Sequence, residues 1–390
     1  MNETLRKYIK GDRIIWFVII ALAVFSSLVV YSATGNLAYK HHDGNAIYYL
    51  FRHAKFLMVG IGIIIAVHHL HYKWFARFAT VFLYFSEALL LITLLTGVSL
   101  NQASRWLTLP VVGISFQPSE LAKLALMMFI AKVLAQHQRD DSNANDAFKP
   151  IMIHVGIVCG LIFKEDFSTA GLIGATALIV MFIGRVSLKY ILGTVAAVLI
   201  FVTVIIFSSE YVPFLHRAST WKARIMRHME DDDSNTADYQ SERSKMAIAT
   251  GGVFGKGPGN SHQRYFLPHP YSDFVFAIIT EEFGLVGALL VMLAYLILLF
   301  RSGVIVRAST RTFPAFLVIG LATLLSVQAF INMGVAVGVF PVTGQPLPLV
   351  SMGGTSTLFT CLALGAILSV SRNNMKERSA LEVEENIEEQ

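Results

Sequence analysis

The stretch IIWFVIIALAVFSSLVV, residues 14–30, carries no charge and offers no wet face at helical spacing. A helix apolar on every side needs lipid around it, or a protein interior of similar polarity. ALIVMFIG (177–184) and LLVMLAYLILLF (289–300) read the same way. Composition agrees, with 55% hydrophobic and 15% charged residues and a mean hydropathy of +0.59. Those values exclude an ordinary soluble globular chain and point to an integral membrane protein.

Working outward, about ten apolar spans can be drawn, at 14–32, 53–70, 78–99, 119–136, 150–163, 169–184, 187–208, 273–300, 312–337 and 347–371, against about 20 residues for a bilayer crossing. The expected fold is therefore all-α, with both termini on one side. Basic residues identify that side as cytoplasmic: Arg6, Lys7, Lys10 and Arg13; Lys73 and Arg77; Arg139 and Lys149; Arg185 and Lys189; Arg301, Arg307 and Arg311; Arg372, Lys376 and Arg378. Lys40, Arg52 and Lys55, on the first outer segment, dissent. The first apolar run is longer than a signal-peptide core and is expected to be retained. A net charge of +5 spread over inner loops is what orientation alone requires and does not argue for nucleic acid. Cys159 and Cys361 both fall inside spans, so no disulfide framework is implied.

One connection is far longer than the rest. Residues 209–272 form a large extracytoplasmic loop, of a length usually functional or disordered. WKARIMRHMEDDDSN within it reads as an interfacial amphipathic helix, and ATGGVFGKGPGNS as a flexible glycine-rich segment. Residues 1–372 thus form one polytopic unit, and 373–390 a short acidic cytoplasmic tail. GGVFGKG looks like a phosphate loop but has the wrong spacing, and Lys256 is followed by Gly257 where Ser or Thr is required. His68, His69 and His71, and His41 and His42 with Asp43, lack the spacing that converges on one ion, so no metal site is assigned.

Charges inside spans carry more information, because an ion at membrane depth costs about 2.5–3.5 kcal/mol on insertion scales. Glu120 and Lys123, three apart on the helix begun by Pro118, share a face and can pair. A structural pair and a substrate-lining pair fit the sequence equally. Glu87 has no evident partner. In YFLPHPYSDFVFAIITEEFG (265–284), Pro268 and Pro270 stiffen the approach to Asp273. That residue reads either as a helix cap or as an acid held at headgroup depth. A straight helix over 273–300 would be about 42 Å long, so either it tilts or 273–283 forms a separate piece before Gly284. Glu281 and Glu282 have no assigned role.

These motifs together resemble the shape, elongation, division and sporulation (SEDS) family. The likeness rests on SRW (104–106), QPSELAK (117–123), DFSTAG (166–171), YQ (239–240), GKGPGNSHQRYFLPHPYSDF (255–274) and PVTGQPLPLVSMGGTS (341–356) after Asn332. The loop form is nearer the division members than the elongation members. Departures are His269, Met352, Lys164 with Glu165 and Asp166, Arg243 and Ser115, where many relatives carry other residues. The resemblance implies ten transmembrane helices and a peptidoglycan glycosyltransferase. Such an enzyme polymerises lipid II outside the cytoplasmic membrane at the division septum, beside a class B penicillin-binding protein and other division proteins. It implies that Asp273 is the catalytic carboxylate, that Glu120 and Lys123 form the ion pair of the central cavity, and that Arg105 is the outer-loop arginine. For such a reaction Asp273 would be the general base. The diphosphate would be met by Arg105, Lys123, Lys256 and Arg264, or by a divalent cation such as Mg2+ or Mn2+. A lipid II flippase and a scaffold for the crosslinking partner are the competing classes.

Overall fold

The computed structural model describes residues 10–41, 45–96, 98–100, 103–108, 115–138, 143–163, 165–208 and 236–388. Arg6, Lys7, His42, Asp43, Arg139, Lys164 and the proposed amphipathic helix in WKARIMRHMEDDDSN lie outside these residues. The helices are α1 Arg13–Ala33, the short α2 Gly35–His41, α3 Ala46–His69, α4 Tyr72–Thr96, α5 Pro118–Gln136, α6 Phe148–Phe163, α7 Phe167–Ile183, α8 Leu188–Ser208, α9 Thr236–Gly251, α10 Val275–Arg307, α11 Thr312–Ala336 and α12 Gly354–Glu388. Each of the ten expected spans falls on one of them.

Eight segments among the described residues are long and apolar enough to cross a membrane. The other two expected spans are α5 and α7. Helix α7 is shorter, and α5 carries Glu120, Lys123 and Lys132. Almost every α5 side chain is nevertheless buried, because its neighbours α4, α6, α7 and α11 wrap it. Helix α8 is the opposite case, with Leu192, Leu199, Ile200 and Phe201 all exposed on an apolar face that suits lipid.

Local chemistry sets many helix starts. Asp12 caps α1 by accepting from the Ile14 and Ile15 amides, both at 3.0 Å, Asn45 caps α3, and Asp166 caps α7 through the Thr169 amide at 3.0 Å. Pro118 opens α5, where its missing N–H costs no helical bond.

Three features depart from the sequence reading. A small antiparallel sheet, β1 Val98–Leu100, β2 Ala103–Thr108 and β3 Ser115–Phe116, precedes α5. The long loop contains α9, whose Ser244 hydroxyl donates to the Ala336 carbonyl at 2.7 Å and ties it to the end of α11. Helix α12 runs on to Glu388, through the stretch read as an acidic tail, where five glutamates from Glu377 to Glu388 are good helix formers. Glu377 in that continuation accepts from Tyr72 Oη at 3.0 Å and Thr310 Oγ1 at 2.9 Å. Arg301 pairs with Asp12, and Arg372 donates to the His68 carbonyl at 3.0 Å. Basic residues counted above only for orientation also tie helices together, Arg301 joining α10 to the start of α1 and Arg372 joining α12 to the end of α3.

Of the two alternatives for 273–300, the break before Gly284 is the one observed. Gly284 inside α10 has φ 68 and ψ −167, so 275–283 is a separate, largely buried piece. The 23 residues that follow rise roughly 34 Å, enough by themselves for a crossing. The break exposes backbone groups, and the glycine-rich loop takes them up. Lys256 N and Gly257 N donate to the carbonyls of Glu281 and Glu282 at 3.0 and 2.9 Å, while Leu285 N and Val286 N donate to Gly252 O and Val253 O at 2.9 and 3.2 Å. The segment read as flexible is therefore bound along its backbone. A Cβ on Gly284 would stand 2.3 Å from Val253 O, and one on Gly255 2.2 Å from Glu282 O. Gly284→Ala is expected to lower the thermal midpoint of the purified protein more than Gly252→Ala. The latter has open space and suffers only left-handed backbone strain, of order 1–3 kcal/mol. Differential scanning fluorimetry of both variants checks the order.

Candidate functional site

Two irregular segments, each leading into a helix, meet at the Asp273 end of the bundle. Ser351 Oγ donates to Ser272 O at 2.6 Å, and Met352 N donates to Tyr271 O at 2.9 Å. The Asn332 amide nitrogen bridges them, donating to Asp273 O at 2.9 Å and Gln345 O at 2.7 Å. The PHPYSD segment is thus held between α11 and the loop before α12. His269, between the two prolines, has φ 56, a conformation that L side chains seldom adopt.

These segments wall a cavity of about 420 Å³, lined by Trp106, Gln117, Glu120, Asp166, Thr169, His269, Tyr271, Ser272, Asp273, Gly344, Gln345, Pro346, Met352, Gly353 and Ser356. That volume suits a small ligand or a head group. Four helices begin beside it: α5 after Gln117, α7 after Asp166, α10 just after Asp273 and α12 after Gly353. Helix N-termini carry partial positive charge and unpaired amides. Those of α5 and α10 receive no bond from the side chain at their cap position. The cap position of α10 is Phe274, one residue beyond Asp273, whose carboxylate accepts from Ser272 Oγ at 2.9 Å and lines the cavity. Burial, and then the Asp273 charge, push the Tyr271 phenol above its ordinary pKa, so it stays a donor.

Glu120 and Lys123 pair as their spacing predicts, with Nζ 2.8 Å from Oε1. Glu120 lines the cavity, whereas Lys123 lies behind it, 2% exposed, and also donates to Gln328 Oε1 at 3.1 Å. Gln328 in turn donates to Pro346 O at 2.9 Å. Only the Glu120 end of the pair faces the cavity, and Lys123 ties it to the bundle interior.

Lys256 and Arg264 are not among the residues lining the cavity, and both have partners elsewhere. Lys256 Nζ bonds Glu281 Oε1 at 2.7 Å and Thr250 Oγ1 at 2.9 Å. Arg264 donates to Ser32 O and Ser32 Oγ at 3.1 and 3.2 Å. Arg105 stands on β2 next to the cavity residue Trp106, but its side chain lies outside the described residues. Sequence reasoning also left Glu281 and Glu282 without a role, and they prove to anchor the loop. Glu281 accepts from Ser261 Oγ at 2.5 Å and from the His262 and Gln263 amides, each at 3.1 Å, and Glu282 accepts from Ser32 Oγ. Adjacent carboxylates in an apolar run were the signal, but their partners are 18 to 250 positions away. Glu87 has a partner as well, His154 Nδ1 at 2.8 Å. Arg52 is not among the residues lining the cavity, and its charge is the last of the influences on the Tyr271 phenol, lowering its pKa.

Lys123→Met leaves Glu120 buried without its cation and is expected to cost about 3–5 kcal/mol. The double variant Glu120→Gln/Lys123→Met should recover much of this, as read by thermal unfolding in detergent. Asn332→Leu strips a donor from two buried carbonyls and should cost about 1–3 kcal/mol, with a loss of activity, if Asn332 positions Asp273, beyond what the lower folded fraction explains.

Residues 12–376 match the family described as "Cell cycle protein", that of FtsW, RodA and SpoVE. The chain is 32% identical over 374 residues to the probable peptidoglycan glycosyltransferase FtsW of Geobacter metallireducens, covering 94% of this chain and 96% of that protein. It is 30% identical to stage V sporulation protein E of Bacillus subtilis, covering 93% and 97%. Among solved structures, it matches a chain from work on the structural coordination of polymerization and crosslinking by a peptidoglycan synthase complex. There the TM-score is 0.75 and the identity 26%, covering 93% of this chain and 98% of that one. The rod shape determining protein RodA of Thermus thermophilus shares the fold, with a TM-score of 0.67 at 24% identity, covering 94% and 99%. With the family match running almost end to end over a multi-pass helical membrane fold, this chain belongs to the FtsW/RodA/SpoVE family.

Proposed function

We propose that this protein is a peptidoglycan glycosyltransferase that polymerises lipid II on the outer face of the bacterial cytoplasmic membrane, in septal synthesis during cell division. The observation that carries the reading is the placement of Asp273, a carboxylate on the wall of a cavity flanked by four helix N-termini. A diphosphate-linked sugar needs both a base and an anion-stabilising environment. Asp273 takes the proton of the acceptor sugar hydroxyl as that oxygen bonds to the donor's anomeric carbon. The bond from that carbon to the diphosphate oxygen breaks, and undecaprenyl diphosphate leaves with inversion. The helix ends, with Arg105 on β2 beside the cavity residue Trp106, oppose the charge on the leaving group. The buried Glu120–Lys123 pair stiffens the wall to which Glu120 belongs.

A divalent cation, Mg2+ or Mn2+, fits this site only in one manner. No three His, Cys, Asp or Glu residues among the described residues gather into a metal cluster. A cation would then rest on one or two carboxylates, Asp273 first, together with phosphate oxygens of the substrate. When bound, it would add positive charge at the diphosphate.

The FtsW naming of the relatives and the synthase complex among the structural matches support a division role beside a class B penicillin-binding protein and other division proteins. The test is purified protein with such a partner, given lipid II in detergent, where no translocation can occur. Asp273→Asn is expected to lower the polymerisation rate about 10²- to 10⁴-fold with binding of lipid II retained. Wild-type polymer yield from this variant removes the base role. No polymer from the wild type, with lipid II transport in vesicles instead, favours a flippase.

A further inference from the structure

Phe254 is 84% exposed, the most exposed large hydrophobic side chain on the glycine-rich loop, with Val253 exposed beside it. Backbone bonds fix their place. Gly252 O and Val253 O accept from Leu285 N and Val286 N, at the head of the long piece of α10. Leu285, Leu289, Leu293, Leu296 and Phe300 form an exposed apolar stripe down that piece, and in a membrane-crossing helix such a stripe faces lipid. Val253 and Phe254 stand exposed next to the head of that stripe.

We propose that the tip Gly252–Gly255 is a membrane wedge, with Val253 and Phe254 inserted among the acyl chains of the leaflet at the Asp273 end. Irregular backbone at such depth is costly unless its polar groups are paired. Here the loop is suited to it: besides the bonds to α10, Gly255 N donates to Gly251 O at 2.9 Å. The run from Gly251 to Gly255 has no charged residue, and the first charge after it, Lys256, turns back to Glu281. The partner this surface fits is the bilayer itself, through its continuity with the lipid-facing stripe of α10. The wedge would set the height of the loop, and through Gly284 the height of the short helix that follows Asp273. This inference rests on α10 crossing the membrane and is independent of the reaction assigned to the cavity.

The test is a nitroxide label on Phe254→Cys and, separately, on Asn260→Cys, an exposed position on the same loop. The full-length protein sits in phosphatidylglycerol/phosphatidylethanolamine nanodiscs with no other protein present. The parent chain, whose two cysteines lie within spans, gives the background. The label at 254 is expected to collide with oxygen more often, and with a water-soluble nickel chelate severalfold less often, than the label at 260. Phe254 lies outside the packed core, so its replacement leaves folding intact. Equal nickel accessibility at 254 and 260 overturns the proposal. So does shielding at 254 that arises only when a class B penicillin-binding protein is added, which would make the tip a protein contact.

Discussion

The backbone bonds between the glycine-rich loop and the broken helix at Gly284 are the constraint on which the site depends. A helix that stops inside an apolar environment leaves carbonyls and amides that water cannot reach. The loop meets both sides of the break, with Lys256 and Gly257 amides on one side and Gly252 and Val253 carbonyls on the other. Close approach of two backbones is possible because Gly255 and Gly284 lack Cβ atoms. Glu281 and Glu282 reinforce the seam by accepting from the same loop. The short helix 275–283 is fixed by this seam on one side and by Asn332 on the other, and Asp273 sits just before it.

That arrangement also accounts for the distribution of charge. Lys256 and Arg264 look in sequence like cations poised for an anionic substrate, yet the seam uses Lys256, and Arg264 is bound to the end of α1. Among the described residues lining the cavity, positive character comes from helix ends, whose dipoles are fixed in place. A lysine is present in the bundle interior, but it is Lys123, paired with Glu120 and set back behind the cavity wall.

Much of the fold was legible because hydropathy is a local property. Each expected span fell on a helix, and even the break at Gly284 could be anticipated from the excess length of 273–300. The Glu120–Lys123 pair was legible for the same reason, since helical spacing alone brings the two together. The small sheet before α5, α9 within the long loop and the helical tail were not. Their hydropathy is weak, and their stability comes from contacts such as Ser244 with Ala336 and Glu377 with Tyr72.

The sequence by itself determined a multi-pass helical membrane protein, its family likeness, and Asp273 as the acid to watch, because lipid demands long apolar helices and motif order is written along the chain. Only the tertiary structure decided which charges share a cavity with that acid and which hold the loop. Glu281 meets Ser261 and Lys256, and Glu282 meets Ser32, across chain separations of 20, 25 and 250 residues. Side-chain partnership over such distances depends on how the helices pack, and local sequence does not encode it.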